Sequence, residues 1–142
     1  MQLKMTTDYA LRTVIHLATV GRIAPSSEIS EKMKIPRKYL INIVRGLRES
    51  GIINTHSGAS GGYSLAKKPE DISLYDIISV MEGSINISKC LDDDEVCTCY
   101  QTEVCPVRRS YYVIQDGITK HLKSYSIKDI LNTNLNGNGE EL

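Results

Sequence analysis

Along residues 5–20 (MTTDYALRTVIHLATV) apolar side chains return every three or four positions, and Leu11, Val14, Ile15 and Ala18 fall on one stripe. That period predicts an amphipathic helix, which Gly21 ends. Pro25-Ser26-Ser27-Glu28 reads as the start of a second helix, with a serine cap and an acid in its first turn. Ile29 and Met33 are its inward positions. Lys34-Ile35-Pro36 breaks the pattern, because proline cannot continue a helix but can open one. A third helix then follows over 36–50, with Leu40, Ile43, Val44 and Leu47 inward and Ser50-Gly51 as its stop.

Beyond Gly51 the period changes. Ile52 to His56 has strand character, SGASGG (57–62) is a turn, and Tyr63-Ser64-Leu65 returns as a second strand. Ser73 and Asp76 stand three apart, as in a capping box, at the head of a helix through Met81 that Gly83 ends. Residues 84–104 are polar and acidic and read as a loop. Pro106 opens a long helix to about Lys123, along which Val107, Tyr111, Ile114, Ile118, Leu122 and Tyr125 recur at steps of 4, 3, 4, 4 and 3. Such a seam suits a helix that pairs with a partner. Ser126 and Asp129 cap a last short helix to Leu131, and 132–142 (NTNLNGNGEEL) has the composition of a disordered tail.

Two short helices with a tight break, followed by a glycine-tipped hairpin, form the winged helix-turn-helix pattern. The expected fold is mainly α with a small β-hairpin. The expected division is a DNA-binding unit over 1–68, a second region over 69–131, expected to hold a cysteine loop with sensing and dimerisation, and the tail over 132–142.

Charge sharpens this picture. The chain as a whole is neutral, with 17 Lys and Arg against 17 Asp and Glu. Residues 1–70 nevertheless carry 11 basic against 5 acidic side chains, and residues 71–142 carry 6 against 12. The N-terminal half is suited to phosphates. Hydrophobic residues make up 41%, without Trp or Phe, and a core this modest gains from dimerisation. No run approaches the roughly 20 apolar residues of a membrane span, and no signal peptide precedes the first helix, so a cytoplasmic protein is expected.

In this motif the N-terminal residues of the second helix lead into the major groove. Here they are Pro36, Arg37, Lys38, Tyr39 and Asn42. Arg37 and Lys38 suit phosphates or guanine edges, Asn42 suits adenine, and Tyr39 suits a phosphate. Ser26, at the head of the preceding helix, is counted with them. On the wing, His56 and Ser57 offer donors, while Gly58, Gly61 and Gly62 let the backbone approach a duplex. The unremarkable alternative for Arg37 and Lys38 is a solvated helix face. An enzyme is not expected: SGASGG lacks the strand–turn–helix setting of a nucleotide loop, and there is no C-x-x-C pair.

All four cysteines, Cys90, Cys97, Cys99 and Cys105, fall within sixteen residues. Such clustering favours metal, cluster or redox chemistry. Structural zinc is disfavoured, because its sites use C-x2-4-C pairs and Cys97-x-Cys99 is too close to make one. A thiol–disulfide switch stays open. His16 and His121 read as ordinary surface or core histidines.

TDYALR (7–12), LRESGII (47–53), SGGYSL (60–65), SLYDII (73–78), the cysteine loop and SIKDIL (126–131), taken together, resemble the Rrf-two family of bacterial regulators, with its IscR-like, NsrR-like and CymR-like branches. The resemblance implies a homodimer on a near-palindromic double-stranded DNA operator. Its dimer helix would be the one bearing Val107, Tyr111, Ile114, Ile118 and Leu122. In many members an iron–sulfur cluster, [2Fe–2S] or [4Fe–4S], is held by three cysteines, and the matching positions are Cys90, Cys99 and Cys105. IscR-like members add a histidine three residues after the last cysteine. Arg108 stands there, and a guanidinium cannot donate to iron, so that ligation is excluded. NsrR-like members take an aspartate from the partner's first helix, a place occupied by Asp8; Cys97 is the other candidate fourth ligand. An acid in a first turn is also what the helix dipole favours without any ligand. Ser57 stands where IscR-like wings carry an arginine, so the resemblance does not carry over the identity of the operator. The resulting expectation is a repressor whose DNA affinity follows a cluster that senses nitric oxide, redox state or cluster and iron supply. The alternative is a cluster-free, CymR-like regulator acting through thiol oxidation or a partner protein.

Overall fold

The structure, a computed structural model, describes residues 2–92 and 104–135. Helices α1 (Met5–Val20), α2 (Ser26–Met33) and α3 (Arg37–Glu49) are followed by strands β1 (Ile53–His56) and β2 (Gly62–Leu65), then α4 (Leu74–Glu82), α5 (Pro106–Ser124) and α6 (Ile127–Leu135). The strands pair antiparallel, with Ile53 opposite Leu65 and His56 opposite Gly62. This is the expected mainly helical fold with one hairpin.

α1 is the central post, in contact with α2, α3, α4, α6 and β2. Its inward face differs from the stripe expected. Thr7, Ala10, Thr13, Val14, His16 and Leu17 are buried, whereas Leu11, Ile15 and Ala18 are only partly so. A helix surrounded on several sides buries more than one stripe, and small residues are needed where neighbours come close. Thr13 is accommodated because its hydroxyl donates to the Tyr9 carbonyl at 2.8 Å.

Ser26 is not the cap of α2. Pro25 occupies that position without a side-chain bond, and Ser26 is the first helical residue. The break after α2 comes two residues ahead of Pro36, at Lys34, whose φ of 56° closes the helix in the left-handed region. Ser30 Oγ and the Ser30 carbonyl both engage Ile35, which is buried. α3 presents Leu40, Ile43, Val44 and Leu47 inward, as its spacing predicts.

The wing is joined to the body by a contact that the sequence pattern does not announce. Ala24, between α1 and α2, exchanges both backbone hydrogen bonds with Tyr63 at 2.9 Å. Farther on, Ser73 and Asp76 form a full capping box at the head of α4. Backbone bonds from Leu74 to Tyr125 and from Ile127 to Ile72 fasten α6 beside it. The apolar core is continuous, running from Val14, Leu17 and Leu47 to Ile72, Ile77 and Ile127. α6 continues to Leu135, past the predicted stop at Leu131. In its extra turn, residues 132–135, the Thr133 hydroxyl donates back to the Asp129 carbonyl.

Candidate nucleic-acid interface and cysteine site

Pro36 is the residue before α3, and Arg37, Lys38, Tyr39 and Asn42 all lie on its exposed side. The Tyr39 ring sits 5.8 Å from that of Tyr9 on α1, with the Lys38 ammonium 5.0 Å from the Tyr39 ring centre. Lys38 is thereby steered along the helix surface. Asn42 is not free as the sequence pattern supposed: its Oδ1 accepts from Arg45 at 2.6 Å. Arg45 and Arg48, which the motif-based reading passes over, extend the basic face of Arg37 and Lys38 about two and three turns further. Their signal was present in the sequence as polar positions of α3 opposite its apolar stripe.

α3 and the wing share one side of the molecule. Ile41, Val44, Arg45 and Arg48 from the helix, with Thr55 and Tyr63 from the strands, line a groove of about 210 Å³. Ser57 and Gly58 are exposed at the wing tip, and Gly58 has a φ of 99°. His56 is half-buried, with Nε2 at 2.8 Å from Ser64 Oγ. Gly61 and Gly62 have a reason for being glycine that lies inside the protein. A Cβ at Gly61 would collide with the His56 carbonyl, and one at Gly62 with the Ala24 carbonyl. Ser26 is exposed at the first turn of α2.

The helix-turn-helix is fixed to α1 and the segment after it by side-chain hydrogen bonds and one arginine–carboxylate pair. His16 Nε2 meets Glu28 Oε1 at 2.9 Å, and Arg22 grips the same carboxylate through several N–H groups at 3.1–3.2 Å. These contacts, the histidine bond foremost, hold the Glu28 carboxyl below its ordinary value. Arg12 donates to the Met33 carbonyl at 3.3 Å and pairs with Asp8 at 2.6 Å. Asp8, the proposed ligand for a partner's cluster, is therefore half-exposed and already holds a cation.

Of the cysteines, Cys90 and Cys105 lie within the described residues, and Cys97 and Cys99 lie outside them, as do Asp93, Asp94 and Glu95. Cys90 and Cys105 are free thiols, each partly buried. Cys105 precedes Pro106 as the cap of α5, its sulfur accepting the Arg108 amide at 3.5 Å. Arg108 Nε in turn donates to the Cys90 carbonyl at 2.8 Å. The residue that cannot be an iron ligand thus ties the Cys90 backbone to the turn that Cys105 caps. One turn after another down that helix, Gln115 is buried and accepts the Ile87 amide at 2.8 Å. Asp92 closes the intervening segment through Ser84 Oγ at 2.6 Å and Asn86 at 2.9 Å, contacts that lower its pKa. Asp92 thus fastens the start of the segment that the sequence pattern reads as a loop. Among the described residues no three His, Cys, Asp or Glu converge on a metal position. Thiols are the soft donors a cluster uses, so Cys105 at the head of α5 and Cys90, whose carbonyl is tied to the same turn, would fit part of a cluster ligand set.

The first half of the expected seam along α5 is uncovered, with Val107 54% and Ile114 52% exposed, and Tyr125, just past the helix, is 52% exposed. Tyr111 is also exposed, and Ile118 and Leu122 are partly buried. Toward its end, Leu74, Gly117, Ile118, His121, Leu122 and Tyr125 line an open hollow of about 500 Å³.

A basic helix face beside a β-wing, on an otherwise helical body, defines a winged helix-turn-helix DNA-binding regulator. The sequence profile of the Rrf2 family, described as an iron-dependent transcriptional regulator, matches residues 3–133, and the chain belongs to that family. It is 28% identical over 133 residues to the HTH-type transcriptional regulator NsrR of Shouchella clausii, covering 92% of this chain and 89% of that one. The structure of CymR, the global cysteine regulator of B. subtilis, matches with a TM-score of 0.73 at 28% identity, over 92% of this chain and 95% of that one. T. potens IscR shares the fold, with a TM-score of 0.76 at 22% identity over 100% and 94% of the two chains. The family consists of transcriptional regulators rather than enzymes. Among the described residues no helix is long and apolar enough to cross a membrane.

Proposed function

We propose that this DNA-binding regulator is a homodimeric cytoplasmic repressor whose operator affinity is set by an iron–sulfur cluster on Cys90, Cys99 and Cys105. The observation that carries the reading is the Arg108 clamp, which brings the Cys90 turn to the end of α5 that Cys105 caps. Such a cluster would supply a redox- and nitric-oxide-reactive centre beside the dimer helix. Asp8 of the partner subunit or Cys97 would complete its ligand set. In the DNA-bound state Pro36, Arg37, Lys38, Tyr39 and Asn42 would enter the major groove, with Ser26 and the wing residues His56, Ser57 and Gly58 beside the backbone. The likeness to CymR and the Asp8–Arg12 ion pair favour a second reading, in which the thiols or a partner protein act without a cluster.

An absorption spectrum from about 300 to 700 nm on protein purified without oxygen separates the two, since thiolate-bound iron–sulfur clusters absorb there. Bands that disappear when Cys90, Cys99 and Cys105 are each changed to Ala support the cluster. A wild type that stays colourless after reconstitution leaves the thiol reading. DNA contact has its own test: replacing Arg37 and Lys38 with Ala should weaken operator binding and reduce the salt slope by about 2.

A further inference from the structure

We propose that Ile41 reads the 5-methyl group of a thymine in the major groove, beside a guanine taken by Arg45. The inference rests on the placement of α3 in the groove. Ile41 is 65% exposed, the most exposed of the large apolar side chains on α3, and it belongs to none of the hydrophobic packing. It stands amid Lys38, Asn42 and Arg45 on the polar face, where a β-branched residue brings no advantage to the helix itself. That face carries Arg37, Lys38, Arg45 and Arg48 against a single acid, Glu49. A second copy of so basic a surface would be repelled, whereas a polyanion is attracted. Duplex DNA is therefore the occupant that covers Ile41.

Base chemistry then narrows what each side chain meets. The one apolar feature on the major-groove edge of a base pair is the thymine methyl. Arg45 has one branch of its fork fixed by Asn42 Oδ1 at 2.6 Å, which leaves parallel N–H donors for the O6 and N7 of guanine. Four residues separate Ile41 from Arg45, about 6 Å along the helix, so the two can address neighbouring base pairs. Ile41 also walls the groove that contains Arg48 and Thr55, donors suited to the adjoining phosphate.

The test uses the duplex that the intact protein enriches from a randomised library. It is resynthesised with dU for dT, one position at a time, which removes only the methyl group. At one position the wild type should lose about fourfold in affinity, the worth of one methyl withdrawn from water. Ile41→Ala should show no further loss there, and Arg45→Ala should relax the choice of guanine at a neighbouring pair by about tenfold. The melting temperature of Ile41→Ala should be unchanged or higher, alanine being the better helix former. Wild-type binding indifferent to every methyl overturns the inference, as does an Ile41→Ala protein with the wild-type sensitivity at the same position. Enrichment of no duplex overturns the placement of α3 together with it.

Discussion

At Gly62 the constraint is backbone against backbone. The wing strand passes so close to the Ala24 carbonyl that any side chain would push β2 away from the segment between α1 and α2. Gly62→Ala should lower stability by about 2 kcal/mol or more, measured by urea unfolding, because neither neighbour is a flexible side chain that can turn aside. Arg108 acts differently, through a hydrogen bond to the Cys90 carbonyl rather than through packing. Arg108→Ala should speed amide exchange across residues 86–92 while leaving the exchange of α1 and α3 unchanged. Equal exchange in wild type and variant would mean that Gln115 and Asp92 hold the segment without the guanidinium.

Element by element, stability depends on how helices begin and how they are pinned to α1. The capping box of α4 satisfies two otherwise unpaired N–H groups, so Ser73→Ala should cost about 1 kcal/mol in a denaturation experiment. Glu28 joins α2 to α1 through His16, and Glu82 joins α4 to α1 through Thr7 and Lys4. Both carboxyls titrate below the ordinary value of 4.5 in the folded protein, owing first to the His16 and Thr7 bonds respectively. The folded state therefore binds fewer protons than the unfolded one in this range. The stabilisation is complete above the unfolded-state value and is lost as the pH falls through the lowered one. Thermal unfolding followed from about pH 6 to pH 3 should show a shallower acid decline for Glu82→Gln than for wild type.

For the whole molecule the telling feature is α5, a 19-residue helix that leaves Val107, Tyr111 and Ile114 exposed while Ile118 and Leu122 are partly buried. In the homodimer proposed above, the exposed side chains at 107, 111 and 114 would pack against a second α5. Ile114→Glu should yield monomers in sedimentation and weaken binding to a two-half-site operator far more than to a single half-site. A dimeric Ile114→Glu protein would place the interface elsewhere.

By itself, the sequence determined the local features. The apolar spacing of α3, the Ser73 capping box and the glycine-tipped hairpin are written in neighbouring residues, because helix period, cap chemistry and turn conformation act over a few positions. The basic face was legible for the same reason, as were the clustered cysteines and the motifs that tie the chain to its family. Tertiary structure alone decided the rest. α1 buries threonines and His16 because five other elements surround it, a fact no single stripe can express. Gly61 and Gly62 are required by carbonyls of His56 and Ala24, one of them nearly forty residues distant. Arg108 and Gln115 hold the cysteine segment through backbone groups 18 and 28 positions away, and a backbone partner leaves no mark in its own side chain.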